Sequence, residues 1–418
     1  MMINRDTYVR QMAEGEGNHL IKIITGIRRC GKSFLLFKLF VNYLVEKGVQ
    51  LDHIVCVDLE DIRNAKLRNP IELVNYIDSK MADNERYYIL LDEVQHVPDF
   101  VDVLNSYLKI ENADLYVTGS NSKFLSSDIV TEFRGRGDEI HVSPLSFSEY
   151  YQTVGGDKQE VWRDYITYGG LPQILELAGD SKRSLFLKRL YQTVYKKDLE
   201  ERNRISKSFE FDELVEVMAS SIGSPCNPSK LSHTFKTTKQ VDLSPHTISQ
   251  YLDYLEDAFM IEKSLRYDVK GKKYINTLSK YYFSDLGLRN AILDFRQLEE
   301  THIMENVVYN ELRRQGYSVD VGVVEVRQKD ADTQLWKRKQ LEVDFVAHQA
   351  NRLYYIQSAL SMPDEEKRLQ ESASLRQIQD NFKKIIIVKD YTKPRYDANG
   401  ILIVNLFDFL LTPEVLQL

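Results

Sequence analysis

Apolar residues along the chain fall into runs of two kinds. IKIIT (21–25), HIVCVDLED (53–61), YYILLDEVQHV (87–97) and DLYVTGSNS (114–122) are short, nearly continuous apolar stretches that end in polar or glycine residues. Such runs suit strands buried on both faces, as in a parallel sheet. Between them apolar residues recur at helical spacing, as in SFLLFKLFVNYL (33–44). Strands alternating with helices predict a doubly wound α/β sheet with its ligand at the strand C-termini. Residues 151–207 then read as helices, through VWRDYITYGGLPQILELA and SLFLKRLYQTVYKKDLEERNRI.

The pattern changes again after residue 207. FDELVEVMASSIG, NPSKLSHTF and SPHTISQYLDYLEDAF predict three short helices. Asn227 and Ser244 stand as N-caps, with Pro228 and Pro245 in the first turns. MIEKSLRYDV and KKYINTL read as a strand pair around Lys270 and Gly271. Three helices and a strand pair over 208–278 are the layout of a winged helix-turn-helix. From 279 onward the order is helix, strand, strand, strand, helix, strand, with a polar excursion, RQKDADTQLWKRK, inside it. The expected division is therefore 1–150, 151–207, 208–278 and 279–418.

Composition narrows the function classes. The 418 residues carry a formal net charge of −7, so no global basic field gathers nucleic acid and any such site is a local patch. Over 211–275 there are eight Lys/Arg against nine Asp/Glu, so the winged-helix segment as a whole is not basic. Its candidate DNA contacts are on the wing: Lys263, Arg266, Lys270, Lys272 and Lys273. Cys30, Cys56 and Cys226 fit no metal spacing and no disulfide framework, which points to a reducing cytoplasm. No apolar run is long enough to span a bilayer and the first residues form no secretory signal, so a membrane is not expected as a partner.

The first strand–loop–helix carries chemistry. Gly26 is followed by four residues and then Gly31, Lys32 and Ser33, which is the P-loop pattern. Gly26 permits the tight exit from the strand, and Gly31 lets backbone N–H groups approach phosphate. Lys32 is placed to neutralise β- and γ-phosphate charge, and the Ser33 hydroxyl to bind Mg2+. Arg28 and Arg29, inside the loop, are candidates to touch phosphate or a neighbour. YYILLDEVQHV ends in Asp92 and Glu93: Asp92 is the candidate to hold Mg2+ through water, Glu93 to polarise the attacking water. The segment ending Thr118-Gly119-Ser120-Asn121 offers a polar side chain for the γ-phosphate or is an ordinary turn. Arg134 and Arg136 are either surface arginines or a finger reaching across a subunit boundary, with Arg136 preferred.

Taken together, GIRRCGKS, YYILLDEVQ, VTGSNS, FRGRGDEIHVSPLSFSEY and YGGLPQIL resemble the prokaryotic AAA-type ATPases that carry a C-terminal domain of unknown function. The resemblance runs over nearly the whole chain. It implies an AAA+ core, ATP as the nucleotide with Mg2+, the Walker roles for Lys32, Ser33, Asp92 and Glu93, and a sensor-1 segment at Ser120 and Asn121. Arg136 matches the family's Gly-Arg, and YGGLP (168–172) resembles a lid turn bordering the nucleotide. By analogy it also implies homo-oligomers, because AAA+ sites form between subunits.

The element order of the last 140 residues resembles the restriction-endonuclease-like fold. That resemblance places Glu305 on the first helix, and Glu342 and Asp344 two apart on one face of a strand. Where an E-x-K motif is expected, the next strand has Gln357, Ser358 and Ala359. With Gln357 in place of the motif's carboxylate and Ala359 in place of its lysine, Mg2+ would bind weakly and the transition state would be poorly stabilised, so the expectation is a nuclease-like shell without activity. Three functions compete: an AAA+ ATPase coupled to branched or single-stranded DNA, a nucleotide-controlled switch acting on a protein partner, and an ATP-controlled nuclease.

Overall fold

The structure, a computed structural model, describes residues 3–119, 135–329 and 336–418. Its strands, in chain order, are β1 Ile21–Thr25, β2 Ile54–Asp58, β3 Tyr87–Asp92, β4 Ala113–Thr118, β5 Gly137–His141, β6 Ile261–Asp268 and β7 Lys273–Phe283. They continue with β8 Ser318–Lys329, β9 Trp336–Gln349, β10 Arg352–Ala359, β11 Lys383–Val388, β12 Arg395–Tyr396 and β13 Leu402–Asn405. Among the described residues these strands form two sheets.

The first sheet has the order β2-β3-β4-β1-β5, and every pairing in it is parallel. The apolar runs make this inevitable: β1, β3 and most of β4 are buried along their length, so both faces need cover. One face packs on the helices Pro70–Lys80 and Phe100–Tyr107, the first of which Asn69 caps and Pro70 opens. The other face meets the helical stretch from Lys32 to Glu46, whose Leu36, Phe40 and Leu44 are fully buried. A capping box between Ser146 and Glu149 opens the helix Phe147–Val154 and starts the helical region.

The helices Ser208–Ser220, Pro228–Thr234 and Pro245–Asp257 lie where the sequence places them. Asn227 and Ser244 cap the last two. The strand pair after them is not a separate wing. The second sheet runs β12-β13-β11-β10-β9-β8-β6-β7, and β6 joins β8 in parallel through Arg266↔Val321 to Asp268↔Val323. The division expected at residues 278 and 279 thus falls inside β7, whose backbone hydrogen bonds to β6 continue to Phe283. The middle helices and the second sheet share one apolar cluster, in which Phe211 and Tyr251 join Ile303 and Phe345.

Candidate functional site: the P-loop and the carboxylate cluster

The P-loop leaves the C-terminal end of β1, as the parallel topology requires. Gly26 takes φ 132° and Gly31 φ 102°, both in the region that disfavours side chains. At Gly26 a Cβ would lie 2.1 Å from the Val142 carbonyl oxygen. Lys32 is buried, its ammonium donating to the Gly26 and Ile27 carbonyls at 2.9 and 3.2 Å. Beside it, Asp92 closes β3 and is also buried. Its carboxylate accepts from the hydroxyls of Thr118 and Ser33. Burial pushes the Asp92 carboxyl up from its ordinary value, against the pull of those two hydroxyls. Glu93 follows in the left-handed region, φ 52°, with its backbone N–H on the Thr118 hydroxyl at 3.0 Å and its carboxylate accepting from Gln95. A left-handed glutamate is a local strain of the kind that collects at working sites.

The sheet order explains why these groups meet. β4 lies between β3 and β1, so Thr118 at its end sits between Asp92 and the P-loop. Thr118 lies in a segment whose sequence marks it only as a strand end; its link to Asp92 depends on a strand order that the sequence does not state. Ser120, Asn121 and Arg134 lie outside the described residues. Arg136 lies at the start of β5, where Gly137 pairs with Ile21 and His141 with Thr25. It is therefore at the opposite end of β1 from the P-loop, roughly 16 Å away for five extended residues. Its guanidinium reaches Asn105 at 3.3 Å and does not approach the P-loop of its own chain.

The other P-loop arginines differ. Arg28 pairs with Asp198 of the helix Lys197–Asn203 and lies 3.6 Å from Glu60, and its carbonyl accepts from the Tyr195 hydroxyl. Arg29 is exposed at φ 65°. The YGGLP turn closes on the loop, with Pro172 3.7 Å from where a Gly31 Cβ would stand. Asp285, just after β7, anchors the turn by accepting from Gly170 N–H at 2.8 Å and Leu288 N–H at 2.9 Å. Burial pushes this carboxyl up to about 6, although the backbone N–H groups pull it the other way.

The second cluster lies in the eight-stranded sheet. Glu305, on the helix Glu300–Arg314, and Glu342 and Asp344, on β9, come together as the sequence places them. A residue the sequence reading passed over completes the group. Lys280 of β7 is buried, with its ammonium 2.9 Å from Glu305 and 2.7 Å from Glu342, and Tyr282 donates to Glu305 at 2.8 Å. Burial acts to lower the lysine, but Glu305, Asp344 and Glu342 outweigh it and hold the ammonium above its ordinary value. Burial and the neighbouring Glu305 push Asp344 up, and its carboxylate accepts from Ser358 N–H at 2.8 Å. The Gln357 side-chain amide oxygen, Oε1, is buried without a partner. Gly223, at φ 67°, lies so close that a Cβ there would be 3.1 Å from Glu305. Among the described residues no group of three His, Cys, Asp or Glu side chains is placed to hold a metal ion. Lys280 brings an ammonium to these carboxylates from β7, and not from the position of Ala359 on β10. In LSKYYF nothing distinguishes Lys280 from a solvent-facing strand lysine; its burial comes from the neighbouring strands and helix.

The wing lysines Lys263, Lys270, Lys272 and Lys273 are exposed, and Arg266 is half-buried. No helix of the described residues is long and apolar enough to cross a membrane.

Comparison with known proteins places these features. A family model for an AAA domain matches residues 18–151, and models for two domains of unknown function, DUF8612 and DUF4143, match 159–299 and 300–409. An uncharacterized protein of Haemophilus influenzae is 32% identical over 416 residues, covering 98% of this chain and 99% of that protein. An uncharacterized protein of Methanocaldococcus jannaschii is 27% identical over 365 residues, covering 84% of this chain and 76% of that one. Among solved structures, a Walker-type ATPase of Pyrococcus abyssi superposes with a TM-score of 0.50 at 16% identity, covering 70% of this chain and 96% of that one. At that identity the likeness is one of fold.

Proposed function

The chain belongs to the prokaryotic AAA-type ATPases that carry a C-terminal DUF4143 domain, and from that premise we propose that it hydrolyses ATP with Mg2+ and couples the turnover to DNA. The observation that carries the reading is the convergence of Lys32, Ser33, Asp92 and Thr118 at the C-terminal ends of β1, β3 and β4, beside a loop shaped by two glycines at positive φ. The glycine cradle accepts phosphate without a side-chain clash, and the Ser33 hydroxyl and Asp92 are hard oxygen donors suited to Mg2+. Mg2+ bound with ATP neutralises charge between the β- and γ-phosphates.

In this reading Lys32 leaves the Gly26 and Ile27 carbonyls for phosphate, and Ser33 and Asp92 hold the metal. Glu93 orients the attacking water, and the resemblance gives Ser120 and Asn121, which lie outside the described residues, the sensor-1 role. Arg29 borders the phosphates, while Arg28 engages the helix Lys197–Asn203 through Asp198. Arg136 reaches a nucleotide only in another copy, so the working form is a homo-oligomer. DNA is met through Lys263, Arg266, Lys270, Lys272 and Lys273. The nuclease-like cluster of Glu305, Glu342, Asp344 and Gln357 takes no part in cutting in this reading, because Gln357 brings no charge and Lys280 is already held in ion pairs with Glu305 and Glu342. Three unpaired thiols favour the cytoplasm.

A second reading is a nucleotide-controlled switch facing a protein partner. It is favoured by the Asp285 anchor, which joins the turn beside Gly31 to the end of β7 and so to the C-terminal sheet. Steady-state ATPase activity with Mg2+, measured with and without single-stranded, duplex and branched DNA, separates the two. Stimulation without cutting is expected. Hydrolysis indifferent to every DNA would transfer the assignment to the switch, and cutting lost in Asp344→Ala would restore the nuclease.

A further inference from the structure

The hairpin of β8 and β9 outruns the sheet that carries it. Beyond Val324↔Leu341, five more residue pairs extend from Glu325↔Gln340 to Lys329↔Trp336. Along this stretch neither strand has a second neighbour among the described residues. β6 reaches β8 only at Val321 to Val323, and β10 reaches β9 only from Phe345 to Gln349. Trp336 to Gln340 are all exposed. The result is a two-stranded arm standing off the domain.

Residues directly opposite one another in a hairpin share a face. Trp336, Arg338 and Gln340 therefore lie on one side together with Arg327 and Glu325, while Lys337 and Lys339 lie on the other. Arg266 of β6 reaches across to Gln340 at 3.2 Å on the first side, and its Nε has no partner. Lys270 reaches the Glu325 carbonyl at 2.9 Å and brings the β6–β7 turn alongside. Arg327, Trp336, Lys337 and Arg338 line an open groove of about 510 Å3.

Two facts mark the face as a binding surface. Trp336 is 69% exposed on an arm with no core for it to fill. The charge is also local and mostly positive: residues 263–273, 325–329 and 336–340 together hold ten Lys/Arg against two Asp/Glu, in a chain of net charge −7, and the one acidic side chain that the described residues place on the face, Glu325, lies 3.4 Å from Arg338. Cations interleaved with an exposed indole match a polyanion whose rings are open to stacking. Duplex DNA buries its base faces, whereas single-stranded DNA presents them. We infer that the β8–β9 arm, with the β6–β7 turn beside it, is a single-stranded DNA-binding face on which Trp336 stacks a base and Arg266, Arg327 and Arg338 hold phosphates.

The inference rests on the DNA-coupled reading and names its contact surface. Binding of a labelled single-stranded oligonucleotide, and of the duplex of the same sequence, is measured by fluorescence anisotropy on the full chain with increasing salt. The intact protein should prefer the single strand. Trp336→Ala should weaken that binding about tenfold and Trp336→Phe restore most of it, since base–aromatic stacking tolerates the change of ring. Arg327→Gln and Arg338→Gln should each lower the slope of log affinity against log salt by about 0.7, one phosphate contact apiece. The chain has two tryptophans, and Trp162 is buried, so quenching of the exposed-tryptophan emission by the single strand should vanish in Trp336→Phe. Unchanged binding in Trp336→Ala and in both arginine variants would overturn the arm while leaving the DNA-coupled reading intact. An intact protein that binds neither strand would overturn both.

Discussion

At the scale of single residues the P-loop predictions are the plainest. Lys32→Ala removes the only P-loop ammonium and should abolish nucleotide binding, as read by fluorescent-nucleotide titration. Glu93→Gln keeps the shape but cannot accept a proton or polarise water as well. It should retain nucleotide binding and lose hydrolysis by about 100-fold or more. Turnover surviving in both variants would sink the assignment of the site. Lys280 offers a test of stability. Its removal in Lys280→Met leaves Glu305 buried opposite Asp344 with no countercharge, and breaking such a pair on one side costs about 3 kcal/mol. Denaturant melts should show that loss, and replacing Glu305 with Gln in the same chain should recover part of it. The carboxylates were legible in the sequence because two of them fall at strand period on β9. Lys280 was not, because a lysine on a strand reads as a solvent-facing residue until the strand's neighbours are known.

At the scale of elements, the parallel sheet, its P-loop and the helix caps followed from local pattern. Each depends on residues a few positions apart: apolar runs, the Gly26-to-Ser33 spacing, Asn227 and Ser244 before their prolines. The fate of β6 and β7 was not legible. A hairpin is a local object, but its membership of the eight-stranded sheet is decided by Arg266 to Asp268 meeting Val321 to Val323, more than fifty residues away. Gly26→Ala tests the loop itself. Its Cβ would press on the Val142 carbonyl while holding a φ that alanine resists, so the variant should lose about 2 kcal/mol or more and bind nucleotide poorly. The Asp285 anchor gives a pH test. Its carboxyl is pushed up to about 6 in the folded chain, against about 3.9 unfolded. The native state therefore holds the proton more tightly, and the contribution to stability is complete below pH about 4 and lost as pH rises through about 6. The stability of the intact protein relative to Asp285→Asn should fall across that window by at most about 3 kcal/mol and stay level above pH 7. A difference that grows with pH would mean that the four backbone N–H groups around Asp285 outweigh its burial.

At the scale of the whole molecule, the family boundaries and the physical core do not coincide. One apolar cluster runs from Tyr8 and Phe40 beside the first sheet, through Trp162 and Leu190 of the helical region, to Ile303, Phe345, Phe407 and Leu416 of the C-terminal part. Trp162 is the clearest joint. It meets Phe147 at 5.6 Å and Phe407 at 5.9 Å between ring centroids, and its indole N–H donates to Glu300 at 2.6 Å, while Lys389 pairs with the same carboxylate. A chain of four modules joined by linkers would unfold in steps and could be cut at its boundaries. A chain whose largest core crosses those boundaries resists both, because each cut exposes apolar surface that only the other piece covers. Calorimetry should therefore show a single transition, and Trp162→Ala should lower it as a whole at a cost of about 3–5 kcal/mol. Fragments 1–278 and 279–418, expressed separately, should be insoluble or lack a cooperative melt, and recover structure only when produced together. Two independent transitions, with only one of them moved by Trp162→Ala, would instead mean that the ATPase and the C-terminal sheet are stable apart. A nucleotide signal would then have to pass through the Asp285 anchor alone.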